Sequence, residues 1–395
     1  MEATNGKDTP LGTVKVRAEA LSAAWRGRPW LRAEDVIALD GGPFVDILDE
    51  SGLPLGTGFI DVHEGFAIRL ISSTRTAEPL SLLRTRIARA FARRRNDLLG
   101  ADACRICHGE ADGVPGIYVD RFGKSLVVTA DTPTAERLLP LLAPSLSEVS
   151  SATDIIFWQE QGPSRFHGAL LQGRQERARF HQGRLTIEMN LLSHPVVSKL
   201  TAQFAAQREI RRWARGNVLE LYGTPGGYGF QLVDAGAHHA VVVAADGIDE
   251  KALLEDARRN ALADKLTLVS ATDNPFARVA QRQSNCDVVI TCGPASLTRI
   301  KHDADERARW MHEQTQAIQM LDEGGLLIFR VAASPPEAMA RIQGLADAAA
   351  RHKKRLQILE RVGSGLDHPS LLGTASEFPS SIDSEIFITR VSSLA

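Results

Sequence analysis

The sequence predicts a multidomain protein with a small N-terminal β-barrel, a central α+β domain and a C-terminal, doubly wound α/β domain. Three observations carry that expectation. Closely spaced strand-like runs fill residues 14–73. A basic amphipathic helix, a hairpin and further strand patterns follow to about residue 190. From about residue 200 onward, apolar strand-like runs alternate with helical stretches, as parallel βαβ units do. The expected boundaries are 1–75, 76–190 and 191–395, and 395 residues are more than a single core usually supports.

In the first segment FVDILDESGLPLGTGF reads as strand, turn at Glu50-Ser51-Gly52, and strand, with FAIRLIS as the next strand. The second segment opens helically from Pro79 to Leu99. There LLRTRIARAFARRR places Leu83, Ile87, Ala90 and Phe91 on one face and arginines on the other positions. VPGIYVDRFGKSLVVTA follows as a hairpin about Phe122-Gly123, then the helix TAERLLPLLAPSL and the strands DIIFWQE and RLTIEM. In the third segment the runs NVLELY, AVVVAA, LTLVS, DVVIT and LLIFR are separated mainly by helices such as DEKALLEDARRNALA and ERARWMHEQTQAIQML. QILERV and EIFITRV have no helix pattern between them and are expected to form an antiparallel edge.

Hydrophobic residues at 44% with 24% charged residues fit a folded globular chain, not a disordered or fibrous one. The start MEATNGKDTPLG has no basic-then-apolar pattern, and no apolar run approaches the roughly 20 residues of a membrane helix. A cytoplasmic location without a membrane partner is therefore expected. A net charge of −2 excludes a uniformly basic surface, so nucleic-acid binding must come from local patches. Cys104, Cys107, Cys286 and Cys292 are too few for a disulfide scaffold. CRICH has the spacing of covalent haem attachment, which takes place outside the cytoplasm. Zinc would need a second cysteine pair at finger-like spacing, and no metal is expected.

The stretch LELYGTPGGYGF, residues 219–230, sits where a ligand-binding turn follows the first strand of such a sheet. Gly223, Gly226, Gly227 and Gly229 permit tight turns and close approach by a ligand. Counting G-x-G-x-x-G from Gly227 puts Leu232 at the third glycine, which argues against a dinucleotide and a nicotinamide-dependent oxidoreductase. The Gly-Lys-Ser/Thr ending of a phosphate loop is absent. Glu220 is expected to face a cationic ligand. Asp246, about 20 residues past the glycines, is placed to accept ribose hydroxyls. This pair favours S-adenosylmethionine over a pyrophosphate, the alternative being a structural turn that holds no ligand.

The chain resembles bacterial 23S ribosomal RNA methyltransferases that make 5-methylcytosine, which join a PUA domain, a central α+β domain and a class I, Rossmann-like methyltransferase domain. The resemblance runs in order through RGRPWL, GEADGVPGIYVDRFG, YGTPGGYGF, DEGGLLIF and the Asp-His-Pro at 367–369. It implies S-adenosylmethionine as cofactor, with Glu220, Tyr222, Thr224, Gly226, Gly227, Asp246 and Asp273 at its site, Asp273 near the adenine amino group. Gln207 and Arg208 match the end of a family segment that precedes the cofactor strand. RNA, ribosomal in this family, is the implied partner, and a homodimer is left open. Arg28, Trp30, Arg84, Arg86, Arg89 and Arg93 are the expected RNA-binding residues, with RHKKR at 351–355 a second basic run.

Two departures bear on chemistry. The family's Asp-Pro-Pro is Cys292-Gly293-Pro294 here, and its Ser-Cys-Ser is Arg330-Val331-Ala332, so Val331 stands at the nucleophilic cysteine. Carbon 5 of cytosine needs thiolate attack at carbon 6 before it accepts a methyl group. Cys292 is the remaining candidate thiol, although a cysteine at a strand end usually serves packing. A base nitrogen, which carries its own lone pair, is the other target. Two functions are therefore expected: a divergent RNA methyltransferase, or a methyltransferase-fold RNA-binding protein that has lost catalysis.

Overall fold

The computed structural model describes residues 11–25, 29–63, 65–98, 101–160, 166–192, 197–245, 247–270, 276, 286–292, 304–331, 335–363, 365–369 and 385–394. The chain divides into two compact units, Met1–Glu176 with Leu366–Ala375, and Arg177–Gly365 with Ser376–Ala395.

The first unit begins with β1 (Gly12–Val16), α1 (Ala18–Trp25), β2 (Trp30–Arg32), β3 (Val36–Asp40), β4 (Phe44–Leu48), β5 (Pro54–His63) and β6 (Phe66–Ser72). The strands form a sheet of order β2-β6-β5-β4-β1-β3. Alternation puts Val14, Val16, Val45, Ile47, Ile68 and Leu70 in one core. The turn after β4 is fixed by Asp49, whose carboxylate accepts from Ser51 Oγ at 2.6 Å and Leu53 N at 2.8 Å.

The unit continues with α2 (Pro79–Asp97), β7 (Ala103–His108), β8 (Ile117–Phe122), β9 (Ser125–Ala130), α3 (Pro133–Ser150), β10 (Asp154–Glu160) and β11 (Phe166–Gln172). These five strands lie in the order β11-β10-β9-β8-β7. Leu83 and Ile87 of α2 pack with Leu138, Leu142 and Leu146 of α3 against the apolar face of this sheet. Thr132 caps α3, its hydroxyl accepting from Ala135 N at 3.2 Å. CRICH is largely β7, with Cys104 and Cys107 both buried. Desolvation raises both thiols, Cys104 to about 12.

The motif at 109–123 supplies internal ion pairs. Asp112 takes a two-pronged contact from Arg94 at 2.7 Å on each oxygen, and Asp120 pairs with Arg105. Glu110 meets Arg69 of β6, which also holds Asp61 at 2.5 Å and Asp131 at 3.2 Å. The Asp-His-Pro segment belongs to this unit as well. Asp367 Oδ2 accepts from Arg105 N at 3.0 Å, and its backbone carbonyl accepts from Arg94 at 3.1 Å.

The second unit contains β12 (Arg177–Gln182), β13 (Leu185–Asn190), α4 (Val197–Ile210), β14 (Asn217–Gly223), α5 (Tyr228–Asp234), β15 (His239–Ala244), α6 (Glu250–Arg259), β16 (Leu266–Val269), β17 (Cys286–Thr291), α7 (Ala304–Met320), β18 (Leu321–Val331), α8 (Pro335–Arg351), β19 (Lys354–Val362) and β20 (Glu385–Ser393). Its sheet has the order β16-β15-β14-β17-β18-β20-β19. Neighbours from β16 to β18 are parallel, and β20 runs antiparallel to both β18 and β19. This is the edge anticipated for the last two apolar runs. The order reverses between β14 and β17, and a crevice at that switch point is where such sheets bind ligands.

The hairpin β12–β13, grouped with the central segment on sequence, lies in the second unit. Thr186 N donates to Asn260 Oδ1 at 2.8 Å, which holds it to the end of α6. Among the described residues, no helix is long and apolar enough to cross a membrane, and no group of three or more His, Cys, Asp or Glu side chains could hold a metal.

Candidate functional site

β14 is almost wholly buried and points its carboxyl end at the switch point. Its pairing with β15 is irregular between Glu220 and Gly223, and Tyr222 adopts a left-handed conformation, φ 63°. Such a backbone is costly for a residue with a side chain and recurs at functional turns. The chain then bends through Thr224–Gly227, where Gly227 N donates to Thr224 O at 2.9 Å, and enters α5.

Glu220 is 1% exposed. Its Oε1 accepts from Tyr228 N at 3.0 Å and its Oε2 from Gly229 N at 2.7 Å, so the carboxylate satisfies the first amides of α5. Burial raises its pKa to about 7, against the pull of those two amides. In this structure both oxygens of Glu220 are engaged with the turn.

The glycines permit the tight turn expected of them. At Gly226, φ is +64° and a Cβ would lie 2.6 Å from Ile187 Cδ1 of the hairpin. At Gly227 a Cβ would lie 2.8 Å from Glu220 Oε1, and at Gly229 2.7 Å from Val242 Cγ2. A side chain at any of these three glycines would therefore press on the protein's own atoms. Thr224 is buried. Tyr222 packs against the apolar cluster of the sheet and hydrogen-bonds Glu313 of α7, whose pKa burial raises to about 7. The structure thus gathers Glu220, Tyr222, Thr224, Gly226 and Gly227 at one strand–turn–helix junction, while Asp246 and Asp273 lie outside the described residues.

Cys292 follows β17 and is 3% exposed; burial raises its thiol to about 12, and Sγ donates to Ile328 O at 3.7 Å. It is therefore a protonated packing thiol at neutral pH. Val331 is buried in the apolar cluster that includes Phe329 and Phe387. Sequence reasoning missed Tyr228 and Arg330. Both are buried; in the sequence Tyr228 lies within YGTPGGYGF and Arg330 closes the apolar run LLIFR.

The basic helix α2 is more selective than its composition suggests. Leu83, Ile87 and Ala90 face inward as expected, but Arg94 completes the buried face with Asp112. Arg86, Arg89 and Arg93, three and four residues apart, line a cleft of about 490 Å³ with Ala92, Ala111 and Asp112. Arg86 donates to Gly113 O at 2.8 Å, Arg93 to Asp112 Oδ1 at 2.5 Å and Arg84 to Leu141 O of α3 at 3.0 Å, while Trp30 is 4% exposed. Arg28 lies outside the described residues. In RHKKR, Lys354 Nζ caps the end of α7 on Ile318 O at 2.8 Å and Leu321 O at 2.6 Å. Arg355 donates to Ser392 Oγ at 2.9 Å.

This architecture is an N-terminal PUA-like β domain with a class I methyltransferase fold. Residues 14–73 match the PUA-like domain family. The chain is 26% identical over 372 residues to the ribosomal RNA large subunit methyltransferase I of Shigella flexneri, covering 87% of this chain and 91% of that protein. Its fold matches a candidate SAM-dependent methyltransferase from Streptococcus mutans, with TM-score 0.75, 16% identity and coverage of 96% and 99%. It also matches SMU.776, described as a candidate methyltransferase and solved with SAH, with TM-score 0.77, 17% identity and the same coverage.

Proposed function

We propose that the protein is an S-adenosylmethionine-dependent methyltransferase acting on RNA, with 23S ribosomal RNA as its substrate. The reading is carried by the Glu220-buttressed turn at the switch point of a methyltransferase fold. A similarity to a ribosomal RNA methyltransferase over 87% of the chain supports the substrate. The junction fits the cofactor: a tight turn closes the carboxyl end of β14, and Arg330, whose Nε and Nη1 have no hydrogen-bond partner among the described residues, lies at the end of β18. Thr224, Gly226 and Gly227 would bound the methionine end, and Asp246 and Asp273 the nucleoside. When bound, the cofactor supplies an electrophilic methyl group on a sulfonium.

The chain's own residues restrict what can accept that group. Val331 has no lone pair, and the buried Cys292 stays protonated, so neither provides the thiolate that carbon 5 of a pyrimidine requires. The acceptor in this reading is an atom with its own lone pair, a base nitrogen, reached without the cysteine route. Arg86, Arg89 and Arg93 on this cleft would position the RNA by its phosphates, Arg86 and Arg93 while also holding Gly113 O and Asp112.

The same closure of Cys292 favours a second reading, an RNA-binding protein in which methyl transfer has been lost. The test is incorporation of labelled methyl groups into ribosomal subunits from cells lacking the gene. Label that persists in Cys292→Ala and disappears in Asp246→Ala supports transfer to nitrogen. RNA binding with no label on any subunit selects the second reading.

A further inference from the structure

We infer that Arg330 and Tyr228 form an anion site at the ligand edge of the second unit's sheet, one that takes a carboxylate or phosphate group of a bound ligand. The identity of that ligand rests on the function proposed above; the site itself does not.

Ile290 is in register with Glu220 on one side and Ile328 on the other. Two residues further along their strands, Cys292 and Arg330 emerge on the same face, since alternate residues share a face. Tyr228 is the first residue of α5. Its hydroxyl lies beside the Cys292 thiol, and the Arg330 charge is near enough to act on both groups.

Arg330 is 1% exposed and Tyr228 2%. The Nε and Nη1 of Arg330 have no hydrogen-bond partner, and the Tyr228 hydroxyl satisfies no hydrogen bond of ordinary geometry. Among the described residues, no carboxylate pairs with Arg330. Glu220, the nearest acid in sequence register, is committed to the amides of Tyr228 and Gly229.

A buried guanidinium with idle N–H groups is unfavourable by itself, and an oxyanion that accepts from it removes the penalty. The phenol, held neutral by burial, adds a third donor. A positive charge also repels a sulfonium. The site therefore suits the acidic part of a ligand: the carboxylate of the cofactor's amino-acid end, or a phosphate of the RNA.

The experiment compares the full chain with Arg330→Met and Arg330→Lys. Binding of S-adenosylhomocysteine, of 5′-methylthioadenosine, which lacks the amino-acid carboxylate, and of RNA is measured, together with melting temperature against inorganic phosphate. If the cofactor supplies the anion, Arg330→Met weakens S-adenosylhomocysteine roughly 10- to 100-fold and leaves 5′-methylthioadenosine unchanged. If RNA supplies it, Arg330→Met weakens RNA binding and flattens its salt dependence by about one unit of slope. In either case Arg330→Met without ligand melts no lower than the wild type, and Arg330→Lys retains part of the affinity.

A wild type that binds neither S-adenosylhomocysteine nor RNA, yet is stabilised by phosphate more than Arg330→Met, removes the proposed function and keeps the anion site. The site is overturned if Arg330→Met lowers the ligand-free melting temperature and changes no ligand or phosphate response, because Arg330 is then purely structural.

Discussion

Glu220 Oε2 accepts the amide hydrogen of Gly229 at 2.7 Å, joining the last buried turn-facing carboxylate of β14 to the first turn of α5. Because Oε1 does the same for Tyr228 N, Glu220→Ala leaves two buried amides without an acceptor. The expected cost is about 2–5 kcal/mol of stability, read by urea denaturation. The thermal shift induced by S-adenosylmethionine should be lost as well. Glu220→Gln, with one acceptor oxygen, should fall between the two. A shift of wild-type size in Glu220→Ala would show that the cofactor does not depend on this turn.

Gly226 is expected to tolerate no side chain. Its left-handed backbone alone costs alanine roughly 1–2 kcal/mol, and the new Cβ would press on Ile187 Cδ1. Shortening the neighbour with Ile187→Val in the Gly226→Ala background should return part of the loss. A double-mutant cycle in chemical denaturation measures this, and strictly additive effects would refute the contact.

Glu313 gives the second unit a pH-dependent weakness. Its folded pKa of about 7 lies above the ordinary value of 4.5, so its half-buried carboxyl is harmless while protonated in both states. Stability is lost as pH rises from about 4.5 through 7, by at most about 3 kcal/mol. Glu313→Gln never ionises, so its melting temperature should gain on the wild type between pH 5 and pH 8. Parallel melting curves across that range would contradict this assignment.

Arg69 holds three acids, Asp61, Glu110 and Asp131, at the junction of the two sheets of the first unit. Arg69→Met leaves them without their cation and should cost about 3–5 kcal/mol near neutral pH. Burial raises Glu110 and Asp131, so both accept protons readily as pH falls. The destabilisation should therefore be smaller at pH 5.5 than at pH 7.5 in calorimetry, and an equal loss at both would argue against the network.

Much of this was legible in the sequence because periodicity is a local property. Alternation in FVDILDESGLPLGTGF, the inward stripe Leu83, Ile87 and Ala90, and the alternation of strands and helices after residue 200 each follow from the requirement to bury one face of an element. The glycine turn could be placed because it ends a buried strand, and the antiparallel edge because no helix pattern separated the last two runs.

What the sequence could not decide were partnerships between distant residues. Tertiary structure turned Glu220 inward to the helix amides, set Ile187 against Gly226, spent Arg84 on Leu141, and brought Asp367 to Arg94 and Arg105. It also left Arg330 buried beside Tyr228 with idle donors. A charge or a glycine written in the sequence states only what a residue can do. Which hydrogen bonds it makes is fixed by the neighbours that packing supplies, because a buried polar group must take whatever partner lies within about 3 Å of it.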